Sequence, residues 1–339
     1  MKVLVTGATG FVGAHTARAL HDDGHDLRLL VRDHGRARRM GRAVGWGDDV
    51  ELVLGDVTDR DSVRGALLGC DAVVHAAGAV SVERKHAAEA LTVNTAGAEH
   101  VVRGAAELGL DPIVHVSSTS ALRYGDLPLG VDDPVAESVG YAASKAAAEL
   151  VARSLQAAGA PVHITYPAGV IGPAAGEALG ETSRGVASFV AGGVLPTRRA
   201  AISLVDVRDV AEVHRRLLDP SGPAPARVMC GGARLTMEDL QRELRALTGR
   251  RFPIAPFAPG VLRAMGRAAD LAASALPYEP SLTEEAMTLI TTWPGTDDAT
   301  ARELGVAFRP VRESLGIALD AWLAAGMITR RQRGAAPAG

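Results

Sequence analysis

Along the first half of the chain, apolar residues come in short continuous runs such as Val3-Leu4-Val5, Leu29-Leu30-Val31 and Ala72-Val73-Val74. Strands buried on both faces of a parallel sheet read as unbroken Val/Leu/Ile runs, whereas half-exposed strands alternate. The pattern predicts strands over 2–5, 26–31, 50–54, 72–75, 113–116 and 162–166. Between them the apolar spacing becomes helical, over 13–22, 59–68, 87–108 and 141–158. Strand and helix in alternation is the mark of βαβ units, so an α/β fold is expected, with a Rossmann-type doubly wound parallel sheet.

After Pro167 the rhythm breaks at Gly172-Pro173-Ala174-Ala175-Gly176. A strand over 202–205, a helix over 206–218 and a strand over 227–230 follow, and from Thr236 the chain is mostly helical with proline punctuation. This reading assigns 1–168 and 199–225 to the sheet domain, and 169–198 and 226–330 to a smaller, mostly helical lobe. The end of the chain, 331–339, reads as a flexible tail, and the arginines after Ile328 as a solvated terminus.

Composition narrows the classes. A net charge of -3 and a pI near 6.4 offer no electrostatic reason to expect nucleic acid as partner. Cys70 and Cys230 cannot build a disulfide framework and fit a reducing compartment. The sequence starts at once on a strand pattern, leaving no room for a signal segment, so a cytoplasmic protein is expected. The stretch 154–176 carries no charged side chain, but Pro161, Pro167 and Pro173 interrupt it, and no membrane span is expected. No metal site is expected.

The first strand runs into Thr6-Gly7-Ala8-Thr9-Gly10-Phe11-Val12-Gly13 and then a helix. In a strand–turn–helix context this spacing is a dinucleotide fingerprint. The first glycine permits the turn, the second admits the pyrophosphate, and the third lets helix and strand pack closely. The second strand ends at Val31 and runs into Arg32, where NAD-binding chains commonly carry an acid for the ribose hydroxyl. A guanidinium there suits a 2′-phosphate, so NADP is favoured over NAD. Asp33, one residue late, is the counter-argument, and Arg36, Arg38 and Arg39 read equally as surface charge on a loop.

Tyr141 and Lys145 are four apart at the start of a predicted helix and so share a face. A phenol is a poor acid–base near neutrality, and an adjacent ammonium lowers its pKa. Lys145 is also one of just three lysines, with Lys2 and Lys85. The fifth strand ends in Ser117-Ser118-Thr119-Ser120, placing hydroxyls at the carboxyl edge of the sheet, where such sheets bind ligands.

Taken together, these motifs resemble an extended short-chain dehydrogenase/reductase of the NAD-dependent epimerase/dehydratase superfamily. Gly55-Asp56-Val57, His75-Ala76-Ala77-Gly78, Val93-Asn94-x-x-Gly97, Tyr166-Pro167-Ala168-Gly169-Val170 and Leu204-Val205-Asp206-Val207 occur in that family's order. The resemblance implies Tyr141 as general acid–base and Lys145 as the residue that lowers its pKa and binds the nicotinamide ribose. It implies Thr119 as the catalytic hydroxyl, with Ser118 the alternative if the register slips by one. For the cofactor it implies Gly7, Thr9, Gly10, Phe11, Val12, Gly13 and Arg32, then Asp56 and Val57 at the adenine. Ala76, Ala77 and Gly78 would line the cofactor backbone, and Pro167, Ala168, Gly169 and Val170 the nicotinamide face. Asn94 is read as serving helix geometry, His75 and His115 as structural, and Asp206 and Asp209 as braces of the following helix.

The family holds single-step reductases and nucleotide-sugar epimerases or dehydratases. The latter usually carry an asparagine soon after the Gly-Pro step, but here Gly172-Pro173 is followed by Ala174 and Ala175; the arginine usual before the earlier proline, Pro167, is also replaced, by Tyr166. Arg184, Arg198 and Arg199 remain candidate phosphate ligands. The segment 81–86 should border the substrate, and the apolar stretches 257–262 and 271–276 suit a hydrophobic ketone, aldehyde or alcohol. The expectation is a carbonyl reductase or alcohol dehydrogenase closest to dihydroflavonol reductase-like and 3β-hydroxysteroid dehydrogenase-like members, ahead of an epimerase or dehydratase. A non-catalytic NADP-binding sensor is the third reading. Members of the family often form homodimers through paired helices, but no residue pattern here marks the interface.

Overall fold

The computed structural model describes residues 1–47, 49–79, 87–136, 140–275 and 283–334. Seven parallel strands form one sheet in the order β3-β2-β1-β4-β5-β6-β9. They are β1 (Lys2–Thr6), β2 (Asp26–Val31), β3 (Glu51–Leu54), β4 (Ala72–His75), β5 (Ile113–Val116), β6 (Val162–Pro167) and β9 (Arg227–Cys230). Both faces are buried, as the apolar runs predict: Val3, Val5, Leu29 and Val74 pack to one side, and Leu4, Leu30, Val73 and Ile113 to the other. The first face is covered by α1 (Phe11–Asp22), α2 (His34–Val44) and α8 (Val207–Leu217). The opposite face is covered by α3 (Arg60–Leu67), α5 (Gly104–Glu107) and α6 (Gly140–Ala157), and α4 (Ala87–Gly97) packs against α6. A π-helical stretch, Ala98–Arg103, joins α4 to α5.

The arginine-rich segment after β2 is α2, a helix where the sequence reads as a loop. Asp33 caps it, its carboxylate accepting the Arg36 backbone N–H at 2.8 Å.

A second, three-stranded sheet has the order β10-β8-β7 and contains β7 (Gly169–Ile171), β8 (Ala201–Asp206) and β10 (Ala233–Thr236). The two sheets meet at Ala168, where the chain leaves β6 and enters β7. Two strand placements differ from the segment assignment made from sequence. β9, expected in the lobe, extends the large sheet beside β6, and β8, expected in the sheet domain, pairs with β7 and β10. Strand pairing is a tertiary contact, and order along the chain does not reveal which sheet edge is open.

The small lobe comprises α7 (Glu181–Gly192), α9 (Met237–Thr248), α10 (Pro259–Ala275), α11 (Glu284–Thr292) and α13 (Val311–Ala324) around a core that includes Val190, Leu240, Phe252, Leu315 and Trp322. A short helix, α12 (Ala299–Glu303), packs back on β9. The tail read as frayed is in part folded. Thr329 and Gln332 form a capping box on α14 (Arg330–Arg333), and Arg333 Nε meets Asp320 at 2.6 Å. Among the described residues no helix is long and apolar enough to cross a membrane.

Candidate active site

Gly7 follows β1 with φ +77°. A Cβ built on it would lie 2.5 Å from the backbone of Ala76 and Ala77, so its lack of a side chain lets the turn press against the segment that leaves β4. A Cβ on Gly13 would lie 2.2 Å from the Gly7 carbonyl oxygen, which makes position 13 the point of closest helix–strand approach. On Gly10 it would meet only that same oxygen, at 3.3 Å, so this side of the turn is open. No side chain caps α1 and no acid sits in its first turn. The turn and the partial positive charge at the helix N-terminus therefore fit a pyrophosphate. Thr9 and Val12 are half-buried beside it, and Phe11 is buried edge-on against His15, leaving its backbone to the turn.

Arg32 follows β2 with its side chain 80% exposed, its Nη1 4.0 Å from Asp56 Oδ2. Asp56 otherwise accepts the N–H and hydroxyl of Thr58 at 2.9 and 2.8 Å, contacts that hold its carboxyl below the usual range. The Val57 carbonyl meets His100 Nδ1 at 3.0 Å. Asp33, the counter-argument for NAD, is engaged in capping α2.

Beyond β4, Ala76, Ala77 and Gly78 run past the Gly7 turn toward α6. A Cβ on Gly78 would sit 3.3 Å from Lys145 Nζ and 3.1 Å from Asn94 Oδ1. Asn94 does more than shape its helix. Its Oδ1 accepts the Ala79 N–H at 2.8 Å, and its Nδ2 donates to the Ala79 carbonyl at 3.1 Å and to Ser144 Oγ at 2.9 Å. One amide thus ties the loop after β4 to α6, a role the sequence signals only as a motif.

Lys145 is buried on α6, and loss of hydration pushes its pKa down to about 8, opposed by the charge of Glu149. Tyr141 is the second residue of the same helix; its side chain lies outside the described residues. Thr119 opens a 3-10 turn, Thr119–Ala121, that packs against α6, and it is buried there. Ser118 is differently placed: its hydroxyl accepts the Ser120 N–H at 3.2 Å and the Ser120 hydroxyl at 2.9 Å. Pro167, Ala168, Gly169 and Val170 form the step between the sheets, with the Ala168 N–H donating to the Cys230 carbonyl at 3.0 Å. A Cβ on Gly169 would lie 2.6 Å from the Ser203 carbonyl oxygen, so the step packs tightly on β8.

His75 and His115 stack at 5.5 Å beneath this edge. Burial pushes His75 down to about 3 and His115 well below its ordinary value, so both are neutral. Asp206 caps α8 and also accepts the Ser314 hydroxyl at 2.7 Å, and Asp209 accepts the Arg309 N–H at 2.7 Å, so both brace the small lobe as well as the helix.

From that lobe, Glu285 Oε1 accepts the Ala142 N–H at 3.3 Å, a link to the first turn of α6 that no motif announces. Of the apolar residues proposed to line a substrate site, Leu262 joins the lobe core while Phe257 and Leu271 face solvent. The segment 81–86, Leu276 and Leu282 lie outside the described residues.

The model of the NAD dependent epimerase/dehydratase family matches residues 3–231. The chain is 30% identical over 278 residues to the sterol demethylase protein B of Methylococcus capsulatus, covering 80% of this chain and 81% of that one. It is 30% identical over 264 residues to cinnamoyl-CoA reductase 1 of Oryza sativa subsp. japonica, covering 73% and 76%. Among solved structures, gox2253 aligns with a TM-score of 0.78 at 28% identity, over 96% of this chain and 99% of that one. The chain belongs to the NAD-dependent epimerase/dehydratase family, and it is an NAD(P)-dependent enzyme of the extended short-chain dehydrogenase/reductase type.

Proposed function

We propose that this enzyme is an NADP(H)-dependent carbonyl reductase or alcohol dehydrogenase acting on a small, apolar ketone, aldehyde or alcohol. The observation that carries the reading is that the buried Thr119, in the turn after β5, packs against α6, the helix that carries Tyr141 in its first turn and the buried Lys145. The nicotinamide cofactor, when bound, supplies or accepts the hydride. Thr119 donates a hydrogen bond to the substrate oxygen and stabilises the charge that develops there. Tyr141 delivers or removes the proton at that oxygen. The Lys145 ammonium favours the phenolate and brings the phenol's pKa toward neutrality. Ser118, whose hydroxyl is engaged with Ser120, is the weaker candidate for the hydroxyl role.

Two observations favour NADP: Arg32 is exposed at the end of β2, and Asp33 is engaged by α2. Reduction of a carbonyl is favoured over sugar-nucleotide chemistry because Gly172-Pro173 lacks the following asparagine and Arg198 is paired with Glu238 at 2.6 Å. The sterol and cinnamoyl groups named for two relatives, sterol demethylase protein B and cinnamoyl-CoA reductase 1, are apolar. Incubation with NADPH and a panel of apolar aldehydes, ketones, sterols and sugar nucleotides, followed by NADPH absorbance, tests the reading. Turnover confined to sugar nucleotides would overturn it, and no turnover on any member would return the chain to the sensor alternative.

A further inference from the structure

The spacing of four that joins Tyr141 to Lys145 continues along α6 to Glu149 and Arg153, so each of these residues stands about one helical turn beyond the one before. Glu149 is fully buried. Its Oε1 accepts the Tyr166 hydroxyl at 2.5 Å and Arg153 Nε at 2.7 Å, and Arg153 Nη2 donates to Tyr166 Oη at 3.2 Å. Its Oε2 has no hydrogen-bond partner among the described residues. A carboxylate removed from water is costly unless it is paired and hydrogen-bonded. Here one oxygen is held in a closed set of three side chains, and the residue stands one turn from a second buried charge, Lys145.

Among the described residues, the other titratable groups around Lys145 do not supply a negative charge. His75 on β4 and His115 on β5 are neutral. On the elements packed against α6, Glu89 of α4 is exposed and Glu99 is paired with Arg103. Glu285 of the small lobe contacts the helix at Ala142, in its first turn. Tyr166 keeps its proton, its pKa driven up by burial and by Glu149.

We propose that Glu149 is a positioning residue for the proton-transfer site: fixed by Tyr166 and Arg153, its carboxylate keeps Lys145 charged where hydration cannot. The proposal rests on the reading of Tyr141 and Lys145 as the acid–base pair. Tyr166 and Arg153 are thereby assigned a purpose, since the first from β6 and the second from α6 meet the same carboxylate.

The chain has three lysines, so protein labelled with 13C at lysine Cε gives three titratable signals, and Lys145→Arg identifies one of them. In the wild-type enzyme the Lys145 signal is expected to titrate at about 8. Glu149→Gln moves that midpoint down by about one pH unit or more, and the alkaline limb of NADPH turnover moves down with it. The double variant Glu149→Gln/Arg153→Met leaves no unpaired guanidinium and shifts the signal the same way, which separates loss of charge from failure to fold. A Lys145 midpoint unmoved in these variants overturns the proposal, as does a midpoint that moves while the alkaline limb stays in place. Turnover that survives Lys145→Met sinks the acid–base reading instead, in a measurement independent of the lysine signal, so the two failures are told apart.

Discussion

A Cβ on Gly13 would lie 2.2 Å from the carbonyl oxygen of Gly7. The first turn of α1 rests on the end of β1 only because position 13 has no side chain, and that contact sets the height of the helix N-terminus over the turn. Replacement cannot be absorbed by a side-chain rotation, because the opposing atom is backbone.

Gly13→Ala is therefore expected to cost about 1–3 kcal/mol through overpacking and to weaken NADPH binding, since the α1 amides are displaced together. Thermal unfolding and a fluorescence titration with NADPH check both effects. A variant with wild-type melting temperature and affinity would show that the turn relaxes freely.

On the proposed reading, Arg32 selects the 2′-phosphate from the protein surface. Its side chain is 80% exposed and 4.0 Å from Asp56, so removing it leaves no buried gap. Arg32→Ala is expected to weaken NADP binding about tenfold or more while changing NAD binding little. Equal loss for the two dinucleotides would remove the basis for the NADP preference.

Tyr141→Phe removes one hydroxyl from the helix that carries Lys145. The loss expected in kcat is about 10²–10⁴-fold, with NADPH affinity retained, because the change touches proton transfer and spares the phosphate turn. Retained turnover would assign the proton to another group; parallel loss of cofactor binding would point to a structural role.

Acid should unfold the protein through its buried histidines. His75 and His214 are driven down to about 3 from an ordinary value of 6.5, chiefly by burial. His214 meets Thr16 at 2.8 Å and Thr165 at 3.1 Å, which leaves both ring nitrogens engaged. The unfolded chain binds these protons and the folded one refuses them. Their contribution to stability is thus fully present above about 6.5 and is lost as the pH falls toward 3. The melting temperature, followed by circular dichroism from pH 7.5 to 4, should fall steadily, and His214→Gln should flatten the slope. A flat wild-type profile would contradict the assignment.

The parallel strands are legible in the sequence because burial on both faces leaves unbroken runs such as Val3-Leu4-Val5. Helix α2 is not legible in the same way. Its buried residues are Ala37, Met40 and Gly41 amid arginines, so the apolar period is faint, and the cap at Asp33 is the signal that finds it. Glu149 and Arg153 are within reach of the four-residue spacing, but the spacing alone does not show that Glu149 is dry or that Tyr166 meets it from β6.

What the sequence by itself determines is local: the glycine turn, whose spacing follows from backbone sterics, the Tyr141–Lys145 spacing set by the helical period, and the hydroxyl run after β5. Tertiary structure alone decides what those groups meet. It places β9 in the large sheet and β8 in the small one, brings Asn94 to Ala79 and Ser144, sets Gly78 beside Lys145, and closes Tyr166 and Arg153 on Glu149. These contacts join residues distant along the chain, or depend on burial that no single segment encodes. The charge state of Lys145 is a property of that packing, because the exclusion of water and the nearness of a carboxylate act on it from opposite directions.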